Sequence, residues 1–290
     1  MSCADCFKGA VHDHAGEAQG SMERMYGYPC YIASAPSTSH SKSTIIFLCD
    51  AFGLNLINNK LLCDRFAAET GFRVIAPDII PGGPAPVSVM ADMESIMTQT
   101  VPWWDVWGQL KRIVTLLRVV SVFGPFLIRS GPATGYPLCL KFARAVRADL
   151  PSGAKLGVAG FCWGGYSSTN LCKDSAIEGG KERLMDAQFC GHPSGLSAPK
   201  MVVDAIKTFH TPYSMAIGDS DIAYSEKKLL ETQAALRQTV GMPEESDYEI
   251  RIYKGLKHGF TIRALPGDKE AMMAMEEARE QAVNWFKRYL

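Results

Sequence analysis

One hexapeptide in the chain has the makings of a nucleophile: Gly160-Phe161-Cys162-Trp163-Gly164-Gly165. It closes an apolar, β-rich run at 155–160 and opens a helical pattern at 163–174. Small residues flanking a central nucleophile mark a sharp strand-to-helix turn, where glycines relieve crowding and the central side chain is pushed out of the sheet. At a helix N-terminus a thiolate gains from the positive end of the helix dipole and from N–H groups without intrahelical partners, which lowers the thiol pKa. The competing reading is a buried structural cysteine between glycines.

A thiol nucleophile needs a base, and the base needs an orienting carboxylate. Where strands and helices alternate along the chain, these follow in the order nucleophile, acid, histidine. Both are present. Asp219-Ser220-Asp221 follows the apolar run at 212–218, and Gly255-Leu256-Lys257-His258-Gly259-Phe260 follows the run at 248–253. Asp221 lies 59 residues after Cys162, and His258 lies 37 further on, each about one strand, helix, strand unit. Of the six histidines, His258 is the one after a late strand with a flanking glycine. The spacing leaves Asp219 and Asp221 both open as the carboxylate.

The elements that must position these groups are legible as short β-rich runs at 43–49, 73–77, 155–160, 186–192, 212–218 and 248–253. Several are apolar on both faces, as strands covered by helices on both sides must be. Helical patterns lie between them near 56–70, 106–120, 137–150, 163–174, 198–209 and 225–239. Ala271, Met275, Ala278, Ala282, Trp285 and Tyr289 recur at steps of four and three, which predicts a closing helix with its apolar face on the sheet. Alternation in 22–34 predicts an edge strand. The fold class is therefore α/β, a mostly parallel sheet flanked by helices on both faces, in one domain covering 1–290.

The segment at about 81–136 breaks this rhythm. It is too long for a plain connection and holds Trp103, Trp104 and Trp107, three of the five tryptophans. It is expected to be a helical lid or pocket wall, with Trp103 and Trp104 lining the substrate site; plain core filling is the alternative. Within it the apolar run 113–128 carries Arg118 and is shorter than the roughly 18 to 20 residues of a membrane span. An amphipathic or buried helix is the expectation, and a membrane-surface patch the alternative.

The chain has 290 residues, 47% of them hydrophobic and 21% charged, enough apolar material for a full core. Thirty basic residues balance thirty acidic ones, so no global field draws in nucleic acid or a polyanion. Nine cysteines at irregular spacings, an odd number, imply reduced thiols and a cytoplasmic setting. Cys3, Cys6, His12 and His14 could bind zinc, but the loop between the pairs is short for a finger-type site, and no metal or cofactor is expected. His192, in the His192-Pro193-Ser194 turn after a strand, is a candidate pocket residue, with a packed loop histidine equally open.

Taken with Asp50-Ala51-Phe52-Gly53 after the first main strand, the hexapeptide, Gly218-Asp219-Ser220-Asp221 and Lys257-His258-Gly259-Phe260 resemble the dienelactone hydrolase family, most closely its fungal branch. The resemblance covers nearly the whole chain. It implies an α/β-hydrolase fold with Cys162 attacking the acyl carbon, His258 passing protons and Asp221, favoured by the family pattern Gly-x-x-Asp, orienting the imidazole. Backbone N–H groups of Trp163 and Ala51 are the expected oxyanion donors. Asp50 stands where bacterial relatives are similar but carry Glu; it and Phe52 are expected to line the site. The family's carboxylate-binding arginine has no motif here that places it. The implied activity is hydrolysis of an ester or lactone bond of a small organic substrate by a monomer or homodimer; cyclisation or isomerisation of a polyketide-like intermediate on the same fold is the alternative.

Overall fold

The computed structural model describes residues 17–243, 247–265 and 267–290. Its strands are β1 (Ser21–Met25), β2 (Tyr28–Ala33), β3 (Thr44–Leu48), β4 (Arg73–Pro77), β5 (Leu156–Phe161), β6 (Ala187–Gly191), β7 (Tyr213–Gly218) and β8 (Tyr248–Tyr253). They form one sheet in the order β1-β2-β4-β3-β5-β6-β7-β8. From β4 to β8 every pairing is parallel, while β1 and β2 are antiparallel additions at one edge. Every residue of β3, β5, β6 and β7 is buried, the consequence of their two-sided apolarity.

The helices are α1 (Ile57–Thr70), α2 (Met90–Thr98), α3 (Val106–Arg129), α4 (Pro132–Ala148), α5 (Trp163–Leu171), α6 (Lys200–Lys207), α7 (Glu226–Thr239), α8 (Phe260–Arg263) and α9 (Lys269–Tyr289). One layer chains α4, α5, α6 and α7 side by side; the other joins α1, α8 and α9. In α9 the sequence stripe is buried at Met275, Ala278, Ala282 and Trp285, and Asp268 caps the helix by accepting from the Ala271 amide.

Three local expectations change. The edge segment is a hairpin, because Tyr26 and Gly27 both take positive φ (50° and 91°) and turn the chain between β1 and β2 in two residues. The helix expected at 106–120 continues to Arg129 straight through Gly124 and Pro125. Proline's fixed φ is compatible with a helix, but it removes one N–H and its ring crowds the carbonyl of Ser121, so the packing of this helix overrides a local cost. The next helix starts five residues earlier than expected, with Pro132 in its first turn, where a missing N–H costs nothing. The base of the inserted segment is closed: the Ser130 hydroxyl donates to the Pro81 carbonyl at 2.6 Å.

Helix α5 starts hard against the end of β3. A Cβ on Gly164 would lie 2.1 Å from the Leu48 carbonyl oxygen and 2.8 Å from that of Cys49. Those are backbone atoms of the central sheet, which cannot give way. Gly164→Ala is therefore expected to destabilise the fold by about 1–3 kcal/mol despite alanine's better helix propensity, read as a lowered urea midpoint at unchanged slope.

Candidate active site

Five groups converge beyond the C-terminal ends of the parallel strands, where open α/β sheets place their sites. Asp50 follows β3, Cys162 follows β5, Ser194 follows β6, Asp221 follows β7 and His258 follows β8. Cys162 takes φ +47° and ψ −108°, a conformation rare for a residue with a side chain. Its backbone is pinned there on both sides. Its amide donates to Gly191 O at 3.2 Å, and its carbonyl accepts from Gly165 N at 3.0 Å and Ser194 N at 2.9 Å. Such strain persists only where the surroundings over-determine it.

His258 lies between sulfur and carboxylate. Its Nε2 is 3.2 Å from Cys162 Sγ, and its Nδ1 is 2.9 Å from both Asp221 oxygens. Asp219 is turned elsewhere: its Oδ1 accepts from the Gly255 amide at 2.8 Å and so holds the loop that carries His258. The Ser194 hydroxyl sits 3.4 Å from Cys162 Sγ and 3.3 Å from His258 Nε2. Ser194 escaped the sequence reading; its position directly after the β6 run was the only available signal.

Burial disfavours charge on both the thiol and the imidazole, yet each is held in its charged form by the other. The Cys162 pKa falls below its ordinary value because the His258 cation lies beside it and donates to it, with help from Ser194. His258 is pushed up to about 10 by the Cys162 thiolate and by Asp221. The other described cysteines move the opposite way. Burial pushes Cys30 and Cys190 up to about 11 and Cys139 to about 12, and Cys49 and Cys63 well above the usual thiol range. Cys162 alone among them is partly exposed.

Asp50 is fully buried. Its Oδ1 accepts from Phe52 N and Asn59 Nδ2, both at 3.0 Å, and its Oδ2 faces Arg263 Nε at 3.6 Å. Its charge acts on Cys162 in the direction opposite to that of His258, raising the thiol pKa. Phe52 is buried too, with the Arg263 guanidinium 5.2 Å above its ring, and so supports the site from beneath. His192 is fully buried, paired through Nδ1 with Thr261 Oγ1 at 2.6 Å and set edge-on to His258 at 4.9 Å. Burial drives its pKa well down, so a neutral ring abuts the charged one.

A cleft of about 1090 Å³, measured to its open mouth, lies against His258. Met90 and Met93 of α2, Ile222, Leu256, Phe260 and Leu265 give it apolar walls, and Lys257, Arg263 and Asp268 its polar points. Arg263 was also missed from sequence; it lies five residues after His258, at the end of α8. Trp103 and Trp104 do not line this cleft. They pack on each other in the turn just before α3, 83% and 68% exposed.

The amide of Trp163 opens α5 and has no acceptor within the helix. Ala51 comes two residues after Cys49, whose carbonyl accepts from Gly164 N at 3.1 Å, so the chain bearing Ala51 abuts the elbow. The Trp163 indole is buried and donates to Ser130 O at 2.6 Å. Among the described residues no group of three or more His, Cys, Asp or Glu could hold a metal; Cys3, Cys6, His12 and His14 lie outside the described residues.

Known proteins fit this arrangement. A hydrolase from Aspergillus violaceofuscus, pyvD, is 27% identical over 285 residues, covering 98% of this chain and 96% of its own. The hydrolase tropI of Talaromyces stipitatus is 25% identical, covering 100% and 96%. The crystal structure of a putative dienelactone hydrolase from Klebsiella pneumoniae shares the fold, with a TM-score of 0.59 at 18% identity over 92% of this chain and 95% of that one. The dienelactone hydrolase family model matches residues 29–290, from β2 to the last residue. The chain therefore belongs to the dienelactone hydrolase family and is a hydrolase of ester or lactone bonds.

Proposed function

We propose that the chain hydrolyses its ester or lactone through a covalent acyl-enzyme on Cys162, with His258 as the proton carrier and Asp221 as its orienting partner. The observation that carries this reading is the unbroken contact series from Asp221 through His258 to a sulfur poised as thiolate. The thiolate attacks the carbonyl carbon, and the carbonyl's π electrons move onto oxygen. The amides of Ala51 and Trp163 are the donors for that oxyanion. As the tetrahedral intermediate collapses, His258 Nε2–H protonates the departing alkoxide, which in a lactone stays tethered to the acyl chain. Neutral His258 then takes a proton from water, whose oxygen attacks the thioester and expels the thiolate.

Asp221 keeps Nδ1 protonated and Nε2 aimed at sulfur, and it favours the imidazolium. Ser194, within reach of both reacting atoms, donates to the thiolate and holds it during the resting state. The cleft suits a mostly apolar acyl or alkyl portion, with Arg263 available to a carbonyl or carboxylate at its polar end. Asp50 sets Arg263 and, by raising the thiol pKa, restrains the fraction of Cys162 present as thiolate.

Cys162→Ala is expected to abolish turnover of aryl esters and lactones at unchanged melting temperature, and intact-mass analysis of the wild type during turnover should catch an acyl adduct lost in the variant. Product isomeric with substrate and no adduct would instead favour cyclisation or isomerisation. The acid limb of kcat/KM should follow protonation of Cys162 and lie below the ordinary thiol range, while the alkaline limb should fall near pH 10 as His258 loses the proton it must donate. In His258→Ala, alkylation by iodoacetamide at pH 6 should slow by at least tenfold and turnover by roughly 10²-fold or more. Asp50→Asn removes a negative charge facing the sulfur, so alkylation at acidic pH should speed up; slowing would place the influence of Asp50 in structure rather than charge.

A further inference from the structure

Helix α3 carries two apolar faces. Its inner face packs Val119, Val122, Phe123 and Phe126 against the core. Its outer face repeats the pattern: Val106, Leu110, Ile113, Leu117 and Val120 follow at steps of four, three, four and three, each between 48% and 74% exposed. A helix with two apolar faces calls for two apolar neighbours, and here only one face has a partner among the described residues. Trp103, Trp104 and Trp107, each at least 68% exposed, cluster at its first turn.

Charge identifies what covers the outer side. The 24 residues of α3 contain Lys111, Arg112, Arg118 and Arg129 and no acidic residue. On a helical wheel these cations lie about 120–140° from the centre of the outer stripe, on both of its protein-facing sides, from which long side chains can reach toward headgroups. The nearest acids are engaged: Asp105 caps the helix through the Gly108 amide, and Asp92 pairs with Arg118 at 3.3 Å. A second copy fits this pattern poorly. A second copy would present the same helix, which has no acidic residue to offer these cations. Residues 1–16 carry only Met1, Phe7 and Val11 as large apolar side chains outside cysteine, too few for a stripe about 21 Å long.

A span is not in question. Among the described residues no single helix is long and apolar enough to cross a membrane. α3 and α4 together reach the length and composition, but α4 buries Cys139, Phe142, Ala143 and Val146 in the core. From these observations we infer that the outer face of α3 docks in the plane of an anionic lipid bilayer, with the tryptophan cluster at the headgroup level and the cations against lipid phosphates and carboxylates. α2 packs on α3 and lends Met90 and Met93 to the cleft, so docking brings the wall of that cleft to the lipid surface. The inference is independent of whether Cys162 is the nucleophile.

The full chain should be mixed with sonicated vesicles of phosphatidylcholine alone and of phosphatidylcholine with about 30% phosphatidylserine. Co-sedimentation is expected to be about tenfold or more stronger on the anionic vesicles and to weaken in high salt. Tryptophan emission should shift to the blue, since Trp163 and Trp285 are already buried and only the α3 cluster can change its surroundings. Ile113→Glu/Leu117→Glu should lose at least tenfold in binding while hydrolysis of a soluble aryl ester holds. Lys111→Glu/Arg112→Glu should lose the preference for anionic lipid, which gives a second reading on exposed positions. No partition to either vesicle, equal partition to both, or a wild-type dimer that Ile113→Glu/Leu117→Glu splits without any vesicle binding would overturn the inference.

Discussion

The 3.2 Å contact between Cys162 and His258 sets the terms for the rest of the molecule. The two residues follow β5 and β8, with β6 and β7 between them, so neighbouring-strand spacing alone leaves their strand ends about 14 Å apart. Two local devices close that distance. The elbow throws Cys162 out of the sheet, and the loop after β8 folds back toward it. That fold-back is held by Asp219, whose amide donates to Tyr253 O and whose carboxylate accepts from Gly255 N, and by Ser220 N donating to Leu256 O. The two neighbouring aspartates thus divide the work: one positions the backbone, the other faces the imidazole.

Once sulfur and imidazole touch in a buried place, their charges become interdependent. Neither ion would be stable there alone, and together they are favoured over the neutral pair. The neighbours conform to that pairing. His192 is kept neutral by burial, and the buried carboxylate of Asp50, its pKa raised by burial, faces Arg263 and is tied by Asn59 and the Phe52 amide. The other described cysteines, whose burial outweighs any nearby cation, behave as small apolar side chains.

The parallel sheet and the three loops bearing cysteine, aspartate and histidine were legible because each depends on local chemistry: two-sided apolar runs, glycines at a crowded turn, short loops after strands. The hairpin at Tyr26 and Gly27 was hidden, since continuous alternation looks the same with or without a two-residue reversal. Trp103 and Trp104 were misjudged for a different reason. Large aromatic side chains in an insertion suggest a pocket, but which way a helix faces depends on what its other side packs against, and α3 is apolar on both. Ser194 and Arg263 join the site through folding: one lies in the loop after β6 and the other at the end of α8, and neither position has a motif that marks it.

The hydrogen bonds at Ser130 have a further consequence. Its hydroxyl reaches back to Pro81, and its carbonyl receives the indole N–H of Trp163, the residue that begins the helix after the nucleophile. The whole excursion from 81 to 130 is therefore cinched at its base, directly behind the elbow. A loop closed at its neck costs only slightly more entropy when lengthened. The insertion is in this sense a cartridge: its contents can be exchanged while the geometry at sulfur stays fixed, so one reactive centre can be fitted to new surroundings without being rebuilt.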